Sequence, residues 1–135
     1  MTNTHRDTVM RLMVEVGNGC AALHNEQMRD LSCLRIQCDE IWSYVGKKQM
    51  HLTRGDDRQC LGDQWTFVAI DAETKLIPAY RVGKRTREHA VAFMTDLSDR
   101  LSNRVQISSD SLRTYVDAVT DRLWPLEELV DRTSR

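Results

Sequence analysis

Val9, Leu12, Met13 and Val16 recur at intervals of three and four, the spacing of one helical face. Thr4 stands three positions before Asp7 in an approximate capping box, so the pattern predicts a first helix from Thr4 to Val16. Gly17 and Gly19 are expected to stop it, and Cys20, Leu23, Met28 and Leu31 allow a second helix before the chain turns extended. The run from Arg35 to Val45 is rich in β-branched and aromatic residues and is bounded by Gly46, which reads as a strand with Asp39 in its middle. Lys47 to Asp63 is polar and reads as a loop. Trp65 to Ile70 and Leu76 to Arg81 then read as two strands joined by the turn-forming residues from Asp71 to Lys75.

Thr86 is placed to cap a helix whose apolar positions, Ala90, Phe93, Met94, Leu97 and Leu101, recur at three and four. Strand character returns from Val105 to Ser108. A helical crossover implies that this fourth strand runs parallel to the first, and right-handed crossovers allow the two to be neighbours. Asp110 then falls at its carboxyl end. Ser111 and Leu112 are expected to open a further helix, Trp124-Pro125 interrupts the pattern, and Leu126 to Arg135 has no strand signal. The expected fold is α/β: a mixed sheet of three antiparallel strands plus one parallel, with flanking helices, preceded by short N-terminal helices.

Composition narrows this picture only a little. At 135 residues and 41% apolar content the chain can bury one core, and its net charge of −1 excludes a uniformly basic nucleic-acid binder while leaving room for local basic patches. The polar start, MTNTHRDT, has no apolar signal core and no run is long enough to cross a membrane, so a cytoplasmic location is expected. Cys20, Cys33, Cys38 and Cys60 form no CxxC pair, which fits reduced thiols better than disulfides or a zinc site. His5, His24, His51 and His89 lack mutual metal-ligand spacing and read as surface or capping residues.

The candidate chemistry lies in the two aspartates. Phosphodiester cleavage and strand transfer use two divalent ions about 4 Å apart, held by carboxylates on rigid neighbouring strands. The expected topology puts Asp39 and Asp110 on such strands. An aspartate in the centre of an otherwise apolar strand is costly to desolvate, which singles out Asp39; its plain alternative is a strand-edge carboxylate paired with Arg35 or a lysine. The plain alternative for Asp110 is a helix cap.

Three stretches carry a resemblance: CDEIWSYVGKKQ from Cys38, GDQWTFVAIDAETKLIPAYRVGKRT from Gly62, and NRVQISSDSLRTYVDAV from Asn103. They are similar to the insertion-sequence-one-type family of bacterial DDE transposases, over most of the chain from about Thr4 to Val119. The resemblance implies an RNase H-like fold, with Asp39 and Asp110 as the first two catalytic carboxylates and ligands of Mg²⁺ or Mn²⁺. It also implies DNA as partner, both transposon terminal inverted repeats and target, together with a homo-oligomer or a full-length transposase. Family members begin earlier, with a zinc-binding or helix-turn-helix region, so residues 1–33 read as a helical remnant of that module and 34–119 as a partial catalytic domain. Beyond Val119 the family continues to a catalytic Glu, whereas the tail at 120–135, TDRLWPLEELVDRTSR, does not match, and Glu127 and Glu128 follow Asp110 too closely to take that role. The expectation is therefore a DNA transposase fragment lacking its third carboxylate. The alternative is a noncatalytic protein that binds DNA ends or inhibits a transposase.

Lys47 and Lys48, and Lys84, Arg85 and Arg87, form two basic clusters next to strand ends, where the resemblance favours contacts to DNA phosphates over a merely solvated surface. Arg6 and Arg11 lie off the apolar stripe of the first helix and could reach a DNA groove. Trp42 and Trp65 are expected to pack in the core rather than stack on bases.

Overall fold

The computed structural model describes residues 5–110 and Tyr115. Along these the chain forms α1 (Arg6–Gln27), β1 (Arg35–Val45), a 3-10 turn (Gln49–His51), β2 (Gly62–Asp71), β3 (Ala79–Gly83), α2 (Arg87–Arg100) and β4 (Gln106–Ser109). The four strands make one mixed sheet in the order β3-β2-β1-β4. β1 and β2 pair antiparallel, as do β2 and β3, while β4 lies parallel to β1 with Ile36 opposite Ile107 and Cys38 opposite Ser109. The α/β class and the mixed pairing are those the residue pattern predicts.

Alternation decides which side chains meet the core. In β1 Ile36 and Cys38 point inward, and the β2 residues paired on that face are Phe67 and Ala69. α2 lays Ala90, Phe93, Met94 and Leu97 against them, with Val105, Ile107 and Tyr115 closing the same cluster. Thr86 caps α2 by accepting from the His89 N–H, as its position predicts.

Several expectations are corrected. Gly17 and Gly19 do not stop the first helix: α1 runs unbroken to Gln27, and no second helix starts at Cys20. A glycine costs about 1 kcal/mol inside a helix but removes no backbone hydrogen bond, so good formers on both sides carry the helix through. The capping role of Thr4 lies outside the described residues; among those described, His5 caps α1, its Nδ1 accepting from the Asp7 N–H at 3.3 Å. β3 begins at Ala79 rather than Leu76, because Pro78 has no N–H to donate to a ladder and the Leu76 carbonyl is taken by the Asp71 N–H at 2.8 Å. The turn before it forms as predicted: Asp71 accepts from the Thr74 hydroxyl at 2.6 Å and Lys75 adopts φ 66°. Trp42 is not in the core but 46% exposed, whereas Trp65 packs against it. The helix expected from Ser111 and the tail from 120 lie outside the described residues, although Tyr115 is itself helical.

Arg100 ties the two helices together. Its buried guanidinium donates to Asp96 Oδ1 at 3.0 Å, to the Asn25 side chain at 2.8 Å and to the Met28 carbonyl at 3.2 Å. Among the described residues no helix is long and apolar enough to cross a membrane. Phe93, fully buried between Phe67 and Tyr115, is the largest α2 side chain in the core. Phe93→Ala is expected to destabilise the fold by about 3–5 kcal/mol, measured by urea unfolding followed by tryptophan fluorescence.

Candidate functional site

The parallel pairing of β1 and β4 brings the two predicted carboxylates together. Cys38 is opposite Ser109, so the next residue on each chain sets Asp39 beside Asp110, one strand spacing or about 5 Å apart along the backbone. Both line one cleft with Gln37, Val68, Ile70 and Ser108. Asp39 is exposed, which corrects the expectation of a desolvated carboxylate at the centre of an apolar strand. It points to the sheet face opposite α2, where it stays solvated and meets no desolvation cost. Its Oδ1 accepts from the Glu40 N–H at 2.7 Å, and among the described residues neither Asp39 nor Asp110 has an ion-pair partner.

Two unit negative charges held at such a strand spacing of about 5 Å would repel by roughly 1 kcal/mol in water and by roughly 3 kcal/mol at an effective dielectric of 20. A hard divalent cation bound by both relieves that repulsion, and carboxylate oxygens are the donors such an ion takes. Among the described residues no third His, Cys, Asp or Glu joins them in a group able to hold a metal. Cys38, although adjacent in sequence, alternates to the inward face of β1 and is buried there, and burial first, then the charge of Asp39, push its thiol up to about 12.

Glu40 is the residue that reading the sequence missed. It shares the inward face with Ile36 and Cys38, and its side chain is only 4% exposed. Arg85 Nε donates to Glu40 Oε2 at 2.5 Å, while the guanidinium stands 5.0 Å above the Trp65 ring. Glu40 Oε1 and the Tyr115 hydroxyl are both buried, and among the described residues neither has a hydrogen bond of ordinary geometry. Burial, and next the neighbouring Glu40 charge, raise the Tyr115 pKa. Strict two-residue alternation from Ile36 would have found Glu40, because it assigns the even-numbered residue to the core and Asp39 to the open face.

The basic residues divide by what they hold. Lys47 is engaged by Asp56, at 2.9 and 3.0 Å to the two carboxylate oxygens. Lys84 donates to the Leu61 and Asp63 carbonyls at 2.6 and 2.8 Å, stapling the end of the β1–β2 loop. Arg85 is bound to Glu40. Lys48 lies 6.0 Å from the Tyr44 ring centre, and Arg6 and Arg11 are exposed on α1. Arg87 is exposed in the first turn of α2. Among the described residues none of these cations lines the aspartate cleft.

No protein-family model matches the chain, and no curated protein matches it either.

The loop carries its own pH signature. Asp56 is held down to about 2, first by the Thr53 N–H and then by Lys47 and the Thr53 hydroxyl. A depressed carboxylate stabilises the fold above its unfolded pKa near 3.9 and loses that contribution as pH falls toward 2. The Asp56 side chain is expected to titrate near pH 2 by NMR, and Lys47→Met to raise that midpoint without restoring the ordinary value. A wild-type midpoint near 3.9 would show that the clamp does not form in solution.

Proposed function

We propose that Asp39 and Asp110 form the divalent-cation site of a DNA strand-transfer domain of the DDE transposase type, on an RNase H-like fold. The observation that carries the reading is the pairing of an exposed mid-strand aspartate with an aspartate at the end of a parallel neighbour, in one cleft and without a cationic partner. The strand order β3-β2-β1-β4, with antiparallel pairing on one side of β1 and parallel on the other, is consistent with that fold. Bound Mg²⁺ or Mn²⁺ would supply charge stabilisation to the oxygens of a scissile phosphodiester. The protein's own part is to fix two carboxylates on adjacent strands and to leave them open to a polyanionic ligand. The partners on this reading are transposon-end and target DNA, with Lys48, Arg6 and Arg11 able to meet phosphates. A second reading, a noncatalytic DNA-end-binding or transposase-inhibiting protein, is favoured by the presence of two rather than three carboxylates in the cleft among the described residues.

Two carboxylates should bind metal weakly. Mn²⁺ at millimolar concentration is expected to broaden the NMR signals around Asp39 and Asp110, and Asp39→Asn or Asp110→Asn to remove the effect. Unchanged wild-type signals would sink the assignment. With one anionic ligand fewer, DNA cleavage is expected to fall below detection, because every 1.4 kcal/mol lost from transition-state stabilisation costs about tenfold in rate. Robust Mn²⁺-dependent nicking that disappears in Glu127→Gln or Glu128→Gln would instead identify a third ligand in the tail.

A further inference from the structure

α1 has 22 residues and none of them is buried. The side-chain hydrogen bonds that tie it to the rest of the chain come from its C-terminal end, through His24 to the Ile77 carbonyl at 2.7 Å and Asn25 to Arg100. Along the preceding turns Val9, Met13, Val16, Cys20 and Leu23 follow one another in steps of four, three, four and three. That is the seam period of a coiled coil. All five are exposed, Met13 to 65%, and Met10 and Leu12 flank them on either side, also exposed.

We propose that this seam pairs with α1 of a second copy of the chain, as an antiparallel two-helix coiled coil. Self-pairing satisfies the side chains present. In the antiparallel register Val9 faces the partner's Cys20 and Met13 faces the partner's Val16, each layer occurring twice about the two-fold axis. The same register sets Met10 alongside the partner's Gly17 and Leu12 alongside the partner's Gly19, large beside small. A Cβ built on either glycine meets nothing within 4 Å, so both positions are open notches on the helix surface. At the ends Arg6 lies level with the partner's Leu23 and within a turn of the partner's Glu26. A parallel pair would bring Arg6 onto the partner's Arg6 at the end of the seam, a repulsion that the antiparallel arrangement avoids.

The area suffices. The exposed apolar surface of these side chains on two helices is on the order of 1,200 Å², the lower edge of stable interfaces. The proposal is independent of the aspartate site, and either can fail alone.

Sedimentation velocity on the full chain between about 1 and 100 μM should show a reversible monomer–dimer equilibrium, as expected for an interface of this size. Met13→Glu with Val16→Glu should give a monomer whose tryptophan fluorescence and unfolding midpoint in the sheet domain are unchanged. Gly17→Leu with Gly19→Leu should weaken the dimer about tenfold or more while helicity holds or rises, since leucine is the better helix former but fills the notches. Orientation is read by oxidation in a Cys60→Ser background, where Val9→Cys should cross-link to the partner's Cys20. The same background without the added cysteine should not cross-link. A monomer at every concentration, or efficient linkage of Cys20 to the partner's Cys20, would overturn the proposal.

Discussion

Pairing of β4 with β1 is the contact on which the candidate site depends. Parallel neighbours cannot be joined by a tight turn, so the chain must travel through β2, β3 and α2 before it can place Gln106 beside Arg35. What makes the return favourable is burial: Ile36 and Ile107, directly opposite, are both within 1% of complete exclusion from solvent, and α2 covers them with Phe93 and Leu97. The same pair fixes the register. A slip of one residue would turn Ile107 to the open face and carry Asp110 out of step with Asp39, so hydrophobic burial indirectly sets the separation of two charged groups.

Neighbouring carboxylates in β1 have opposite environments for the same geometric reason. Asp39 faces the open side of the sheet, solvated and free of cations among the described residues, while Glu40 faces inward and is held by Arg85 beneath the edge of α2. Burying Glu40 without Arg85 would leave a charge unpaired in a low-dielectric setting, a loss of roughly 3–5 kcal/mol in comparable buried pairs. Arg85 is thus first a structural partner. The guanidinium also covers part of Trp65, whereas Trp42, directly opposite Trp65 on β1, stays 46% exposed.

The elements with strong periodicity were legible before any coordinates. β1 matches the predicted Arg35–Val45 at both ends, α2 starts at its Thr86 cap, and the crossover logic put β4 parallel to β1. The errors have local causes. Gly17 and Gly19 lower helix propensity without ending α1, and Pro78, which lacks an N–H, lies just before β3 rather than inside it. Crossover topology makes Asp39 and Asp110 neighbours, but the buried carboxylate of β1 is Glu40 and not Asp39. Composition cannot say which face a strand residue takes; only the phase of the alternation, anchored on Ile36, can do so.

Charge placement bears on how the proposed site would meet DNA. The chain is nearly neutral overall, and much of its positive charge beside the strands is spent internally, Lys47 on Asp56, Lys84 on loop carbonyls and Arg85 on Glu40. Little long-range field remains to steer a polyanion toward Asp39 and Asp110, which themselves repel phosphate. On the proposed reading, affinity must then come mainly through a cation bridging carboxylate and phosphate oxygens. Such binding should depend steeply on divalent metal, with a monovalent-salt dependence limited to the few phosphate contacts that Lys48, Arg6 and Arg11 can make. A basic groove would give the reverse dependence.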